Sequence, residues 1–410
     1  MAAVAVDGPR VDRSHTRLLL TLPLAIAAIQ VVQGGADLVL ATALERVAAG
    51  SEVTTYGWIV AAASLGALLV YPVAGDASDR VRVRFGRRAP IALAGAVAVA
   101  LALLGLGAAR SVGAIGAAYI AAIALLPLVL VPAYAAIPDR VAVGRRGAAG
   151  ATVGAATMVG GIAGNILAAR FADDIELGLT VFGAILVGGV AVFVAFGQSD
   201  AAPTEPGNDP AAASTPGPAL PAARPGSDFA WVTIGRFALF FAYLAIVSLV
   251  FYVLRDYVGQ AEPAAGVAGF ALASGLATIV AALVTGPWSD RVGRRLPFVV
   301  GASALVGAGA LVPIAVPTFG GVLVSGAVIG LGFGTYFAVG TALATLVLPS
   351  PERSGRDIGV IGLSSAAALA VAPVAGSAVA AAFGYPALFG LAALACLVSA
   401  GATLPIRSVR

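Results

Sequence analysis

Apolar runs of about twenty residues or more succeed one another along the chain, separated by short polar breaks. A helix rises ~1.5 Å per residue, so each run is long enough to cross a hydrocarbon core of ~30 Å. Twelve such runs are read: residues 18–44, 54–76, 90–109, 112–136, 149–170 and 177–197, then 230–254, 264–288, 296–316, 318–347, 357–383 and 385–405. The first is too long for the apolar core of a signal peptide and lacks a convincing cleavage site, so it is expected to be retained. The break between the sixth and seventh runs is of another kind. Residues 198–229 are rich in Pro, Ala, Gly, Ser and Thr and cannot assemble a packed core, which makes them a flexible linker. The expected organisation is a tail at 1–17, a six-helix bundle at 18–197, the linker at 198–229, a second six-helix bundle at 230–405 and a tail at 406–410. The fold class is an all-α membrane protein of twelve transmembrane helices in two pseudo-symmetric halves.

The polar breaks repeat. The second and third runs are separated by Gly75-Asp76-Ala77-Ser78-Asp79-Arg80, continued through Arg82 and Arg84 to Gly86-Arg87-Arg88. About half the chain later, Gly286-Pro287-Trp288-Ser289-Asp290-Arg291-Val292-Gly293-Arg294-Arg295 restates this segment without the residues from Arg82 to Phe85. A looser echo, in the same phase, links Arg145-Arg146-Gly147 with Gly355-Arg356-Asp357. The same basic break at the same place in each half implies a parallel internal duplication.

Composition agrees with burial in lipid. The chain is 60% hydrophobic and 11% charged, with a mean hydropathy of +0.99, whereas a soluble domain is about a quarter charged. Every cationic residue is Arg, and all of the 24 except Arg46, Arg110, Arg170 and Arg255 fall in one set of alternate breaks and tails. By the excess of cations in cytoplasmic loops, both termini and the linker are expected in the cytoplasm of a cell whose cytoplasmic membrane holds the chain. The net charge of +4 is therefore a topology signal and no sign of nucleic acid. Cys396 is alone, His15 lies in the tail, and there is no metal cluster, nucleotide loop or nucleophile–base set. An enzyme, a metal site and a cofactor are not expected.

Gly75-x-x-Ser78-Asp79-Arg80 with Gly86-Arg87-Arg88 resembles the loop signature of the major facilitator superfamily, at its usual place between helices 2 and 3. The partial copy at Gly286 to Arg295 is similar and falls between helices 8 and 9. The longer first version, Pro351-Glu352-Arg353-Ser354-Gly355-Arg356-Asp357-Ile358-Gly359 and Leu254-Arg255-Asp256-Tyr257 resemble the branch of glycoside–pentoside–hexuronide and sucrose/proton symporters. The resemblance implies the major facilitator fold. It also implies a cytoplasmic gate in which Gly75, Asp79, Arg80, Gly86, Arg87 and Arg88 latch one half, and Gly286, Asp290, Arg291, Gly293, Arg294 and Arg295 the other. Physically, Asp79 at a helix end can accept N–H groups of a neighbouring helix start or pair with Arg, and Gly75 and Gly86 permit close approach or a sharp turn. The alternative reading makes these arginines only topology signals at lipid headgroups. The second run carries no acid before Asp76, so the sodium site of melibiose-type symporters is not carried over. The fourth run has no Arg and the fifth no Gly-Pro, unlike typical proton–drug antiporters.

An ionisable residue inside a span is a functional candidate. Asp37 is the acid well inside a run, and Gln30, Gln33 and Asp37 recur at i, i+3, i+7. That face is expected to line a central cavity, Asp37 binding the coupling proton and the glutamines the solute; a purely structural Asp37 is the competing reading. Asn165 and Tyr336 are further cavity candidates, set against simple helix packing among their glycines. Arg255 and Asp256 are expected to form an extracellular ion pair or gate, and Arg236 to snorkel from the inner end of the seventh run. The leading expectation is a proton-coupled secondary transporter of a small organic solute, glycoside-like by resemblance, working as a monomer among membrane lipids. A proton-antiport exporter of drugs or natural products is the alternative, and a non-transporting scaffold or receptor the reading from another class. The spans are Ala- and Gly-rich and poor in polar groups, which favours a more apolar solute than the branch name suggests.

Overall fold

In lipid every backbone N–H and C=O must be satisfied within its own segment, so apolar runs of this length fold as helices. The computed structural model describes residues 13–48, 50–80, 89–141, 146–197, 227–346 and 354–406. They form α1 (Arg13–Val47), α2 (Glu52–Arg80), α3 (Ala89–Ala108), α4 (Val112–Leu125), α5 (Pro127–Arg140), α6 (Arg146–Arg170) and α7 (Ile175–Gly197). In the second half follow α8 (Ser227–Val247), α9 (Val250–Tyr252), a π turn at Val253–Tyr257, α10 (Pro263–Val292), α11 (Leu296–Ala315), α12 (Phe319–Leu346), α13 (Ser354–Phe383) and α14 (Tyr385–Gly401). Among the described residues, 11 helical stretches are long and apolar enough to cross a membrane, α4 and α5 counting together, and α14 is a shorter apolar helix of 17 residues. The linker and both tails lie largely outside the described residues.

Local chemistry sets several boundaries. Ser111 caps α4, its hydroxyl accepting from Ala114 N–H. Pro127 takes the first position of α5, where its missing N–H costs nothing. Gly293 ends α10 in the left-handed region at φ 68°, which a residue with a Cβ resists. The basic segments differ from the expectation of loops. Gly75 to Arg80 continue α2, and Gly286 to Val292 continue α10, one to two turns beyond the apolar stretch. The seventh run is also not one helix. It breaks at Ser248-Leu249 and resumes as α9 and the π turn. There the Ser248 hydroxyl donates back to the Leu244 carbonyl at 2.7 Å, a bond of the kind that bends helices.

The packing map repeats between halves. Helix α1 packs on α6 and α7, α3 on α7 and α4, and α2 on α4 and α5. In the same order of spans, α8 packs on α13 and α14, α11 on α14 and α12, and α10 on α12. The duplication read from the basic segments is thus a duplication of contacts. The halves are joined chiefly by α2 with α13 and α6 with α10, with smaller contacts of α1 on α9 and α10. Without a hydrophobic drive between helices in lipid, close backbone approach supplies the attraction. At the crossing of α1 and α6, a Cβ on Gly160 would stand 2.5 Å from the Ala27 carbonyl oxygen. All three tryptophans, Trp58, Trp231 and Trp288, are exposed and sit towards span ends, where interfacial rings are favoured.

Candidate functional site

The halves enclose a cavity of about 270 Å³, near the lower end of the range for small-molecule sites. Its floor in α1 follows from helix geometry. Gln30, Gly34, Asp37, Leu38 and Ala41 line it, a single stripe at ~100° per residue. Gln33 falls about 80° from the centre of that stripe; it is exposed and does not reach the cavity. Of the three residues expected on one face, Gln30 and Asp37 line the cavity and Gln33 does not.

Asp37 is held from a helix the sequence did not suggest. The Tyr119 hydroxyl of α4 donates to its Oδ1, and Tyr119 is buried. Tyr56 of α2 lines the same cavity and meets Tyr252 of the other half edge-on, with ring centroids 5.5 Å apart. Asn165 also lines the cavity. Its Nδ2 donates back to the Gly161 carbonyl at 3.1 Å, a bond that does not use its amide oxygen. Across the cavity stand Tyr243 and Ser248 at the end of α8, and Ser274 in α10. Each of these serine hydroxyls donates to its own helix, Ser248 to Leu244 and Ser274 to Ala271, so its oxygen retains acceptor capacity. The break in α8 thus presents Ser248 to the cavity, as irregular backbone does where it lines a binding space. Tyr336 was expected here but is buried outside the lining, against Phe240 at 6.4 Å between centroids. Sequence reasoning missed Tyr56 and Tyr119. A tyrosine in an Ala/Ile run looks like core, and nothing local tells that its hydroxyl meets a carboxylate.

One end of the cavity is closed by an ion cluster across the halves. Arg255 meets Glu52 at 3.0 Å and Glu45 at 3.7 Å, both from the first half, and Asp256 beside it at 2.5 Å. The Tyr385 hydroxyl donates to Asp256 at 2.6 Å, and the Tyr252 hydroxyl to the Glu52 carbonyl at 3.4 Å. Arg255 and Glu52 keep only 18% and 15% of their side chains exposed. Burial works against the Arg255 charge, but Asp256, Glu52 and Glu45 outweigh it and push its pKa above the ordinary arginine value. Beside the cluster, Gly57 of α2 lies against Ser377 and Pro373 of α13.

The opposite end carries the basic segments. Asp79 and Arg80 form the last turn of α2, but their side chains, like that of Asp290, lie outside the description, as do residues Gly86, Arg87 and Arg88 entirely. A Cβ on Gly75 would meet open space and one on Gly286 an ordinary contact, so neither glycine marks a close approach here. Arg291 and Arg294 are exposed and Arg295 is half-buried. Arg236 departs from its expected place. It lies about 12 Å inside the span that begins at Asp228, and its Nε donates to Ser365 of α13 at 2.8 Å instead of reaching for headgroups.

The family model of the Major Facilitator Superfamily matches residues 24–261 and again 232–409. No curated protein matches significantly. Among solved structures, the chain is similar to a bacterial homolog of the human lysosomal transporter Spinster in an inward-facing and occupied conformation, with 14% identity, TM-score 0.69, and 97% of this chain and 95% of that one covered. It is similar to a POT family transporter in complex with a thioalcohol-conjugated peptide (13%, 0.71, 93% and 94%). It is likewise similar to a variant of the nucleoside transporter NupG (12%, 0.72, 95% and 99%). At such identities these likenesses speak for the fold alone, while the two matches to the family model together span residues 24–409, nearly the whole chain. The chain belongs to the major facilitator superfamily, and it is a multi-pass membrane transporter and not an enzyme.

Proposed function

We propose that the chain is a proton-coupled secondary transporter that carries a small organic solute across the cytoplasmic membrane by alternating access. In this reading it is a monomer of twelve spans, α14 being the last, with both termini in the cytoplasm. The arginine distribution supports that orientation and makes the Arg255 cluster the extracellular gate. The observation that carries the proposal is Asp37: a carboxylate inside a span, in a cavity between two halves, with a tyrosine donor on one oxygen. A charge there is costly in lipid unless it has work to do. Gain and loss of a proton supplies that work. Protonated, Asp37 frees the cavity of its negative charge and permits the halves to rock; deprotonated, it favours the state open to the proton source. Gln30, Asn165, Ser248 and Ser274 offer hydrogen bonds to the solute, which supports a hydrogen-bonding, glycoside-like solute as the branch resemblance implies. The basic segments would latch the cytoplasmic side when it closes. Export of drugs or natural products by proton antiport uses the same parts in the opposite sense. The test is a counterflow screen in proteoliposomes across sugars and lipophilic cations, with an internal pH dye. Asp37→Asn should abolish uphill uptake and spare exchange. Unchanged uphill uptake removes Asp37 from the mechanism.

A further inference from the structure

Arg236 is unlike Arg46, Arg110 and Arg255, whose terminal nitrogens meet protein oxygens, and unlike Arg170, which is exposed at the end of its span. Arg46 donates to the Ala172 and Asp173 carbonyls, Arg110 meets Glu176, and Arg255 meets three carboxylates. Arg236 lies about 12 Å inside the α8 span, yet no carboxylate pairs with it among the described residues. Its Nε is taken by Ser365, and its Cζ lies 4.9 Å from the centre of the Phe240 ring. That arrangement fixes the plane of the guanidinium while its two terminal nitrogens keep four N–H donors without a described protein acceptor. Such a fork matches one ligand chemistry above others, a carboxylate held by two parallel hydrogen bonds.

The surroundings connect this fork to the cavity. Phe240 meets Phe333 edge-on at 5.2 Å, and Phe333 stacks on Tyr243 at 3.9 Å and 13°. Tyr243 lines the cavity and lies seven residues, two helical turns, above Arg236 on the same face of α8. A cation thus sits at one end of an aromatic wall whose other end is the solute cavity. In the topology proposed above, that wall runs along the cytoplasmic approach.

We infer that Arg236 is a solute-binding residue and that the transported solute is an organic carboxylate, its anion held by Arg236 and its body lying along Phe240 and Tyr243 towards the cavity. This rests on the transport reading above and narrows its substrate class. It also gives a reason for coupling: an anion entering a space that holds the Asp37 carboxylate is repelled until Asp37 takes a proton, so proton and anion load together.

The test uses binding, which needs no gradient. Benzoate, cyclohexanecarboxylate and gluconate are each compared with their neutral amides by calorimetric titration of the full chain in lipid nanodiscs. At least one acid should bind tenfold or more tightly than its amide. Arg236→Gln should remove that preference, whereas Arg236→Lys retains part of it. Ser365→Ala breaks the tie between α8 and α13 but leaves the cation, and should keep most of it. Equal binding of every acid and its amide, or a preference that survives Arg236→Gln, overturns the inference. Failure of Asp37→Asn to disturb uphill uptake would sink the coupling reading while leaving the charge preference as it is, so the two outcomes separate.

Discussion

Two arginine pairs show how burial decides what a charge contributes. Arg110 and Glu176 approach to 3.7 Å with 73% and 69% of their side chains exposed, so water screens them and the pair contributes less than about 1 kcal/mol. Arg255 is mostly buried and answers carboxylates from both halves. Removing one partner of such a cluster leaves unpaired charges behind and costs about 3–5 kcal/mol where burial is complete, less at this partial exposure. Arg255→Gln should therefore release this end. With spin labels at Asp173 and Glu262, both exposed and in opposite halves, the variant should shift the distance distribution towards longer separations. Arg110→Gln should leave it as it was. At this scale the sequence showed Asp37 and Arg255 plainly, because an ionisable group in or beside an apolar run has few explanations. It did not show Glu45 and Glu52 as their partners. They lie about 200 residues from Arg255 in the chain, and only the fold brings them across.

Among the elements, α1 and α6 show why small residues recur in these spans. Gly160 lets the two backbones touch at Ala27, and a larger side chain there must push the helices apart. Gly160→Val should cost about 1–3 kcal/mol or more, read as a lower melting temperature in nanodiscs. Exchange and uphill uptake should fall together, unlike the split expected for Asp37→Asn. The positions of the spans were legible in the sequence because length and hydropathy determine them. The ends of α2 and α10 were not, since a basic segment leaving the hydrocarbon can stay helical in water and the arginines do not oppose it. Nor was the break in α8. No Gly or Pro marks Ser248-Leu249, and the interruption comes from a side-chain bond and from packing against the other half. Tyr336 illustrates the same limit: a Gly-rich run predicts close packing, but not which wall of the helix faces the cavity.

Across the whole molecule, the repeat of contacts between halves is the physical content of the duplication. Two similar bodies are joined chiefly through α2 with α13 and α6 with α10, and the alternating access proposed above would rock them about those seams with little change inside either body. The Arg255 cluster bridges the halves at one end, and the Asp37 cavity lies between them. The most direct check is a pair of distance measurements in one protein, with the buried Cys396 replaced by Ala. One label pair sits at Asp173 and Glu262, the other at Val73 and Val292, which are exposed near the opposite end. Comparing Asp37→Asn with the parent chain across pH, rocking predicts that the two distances change in opposite directions, one lengthening as the other shortens. Distances that move in the same sense, or that both stay fixed under every condition, would contradict it.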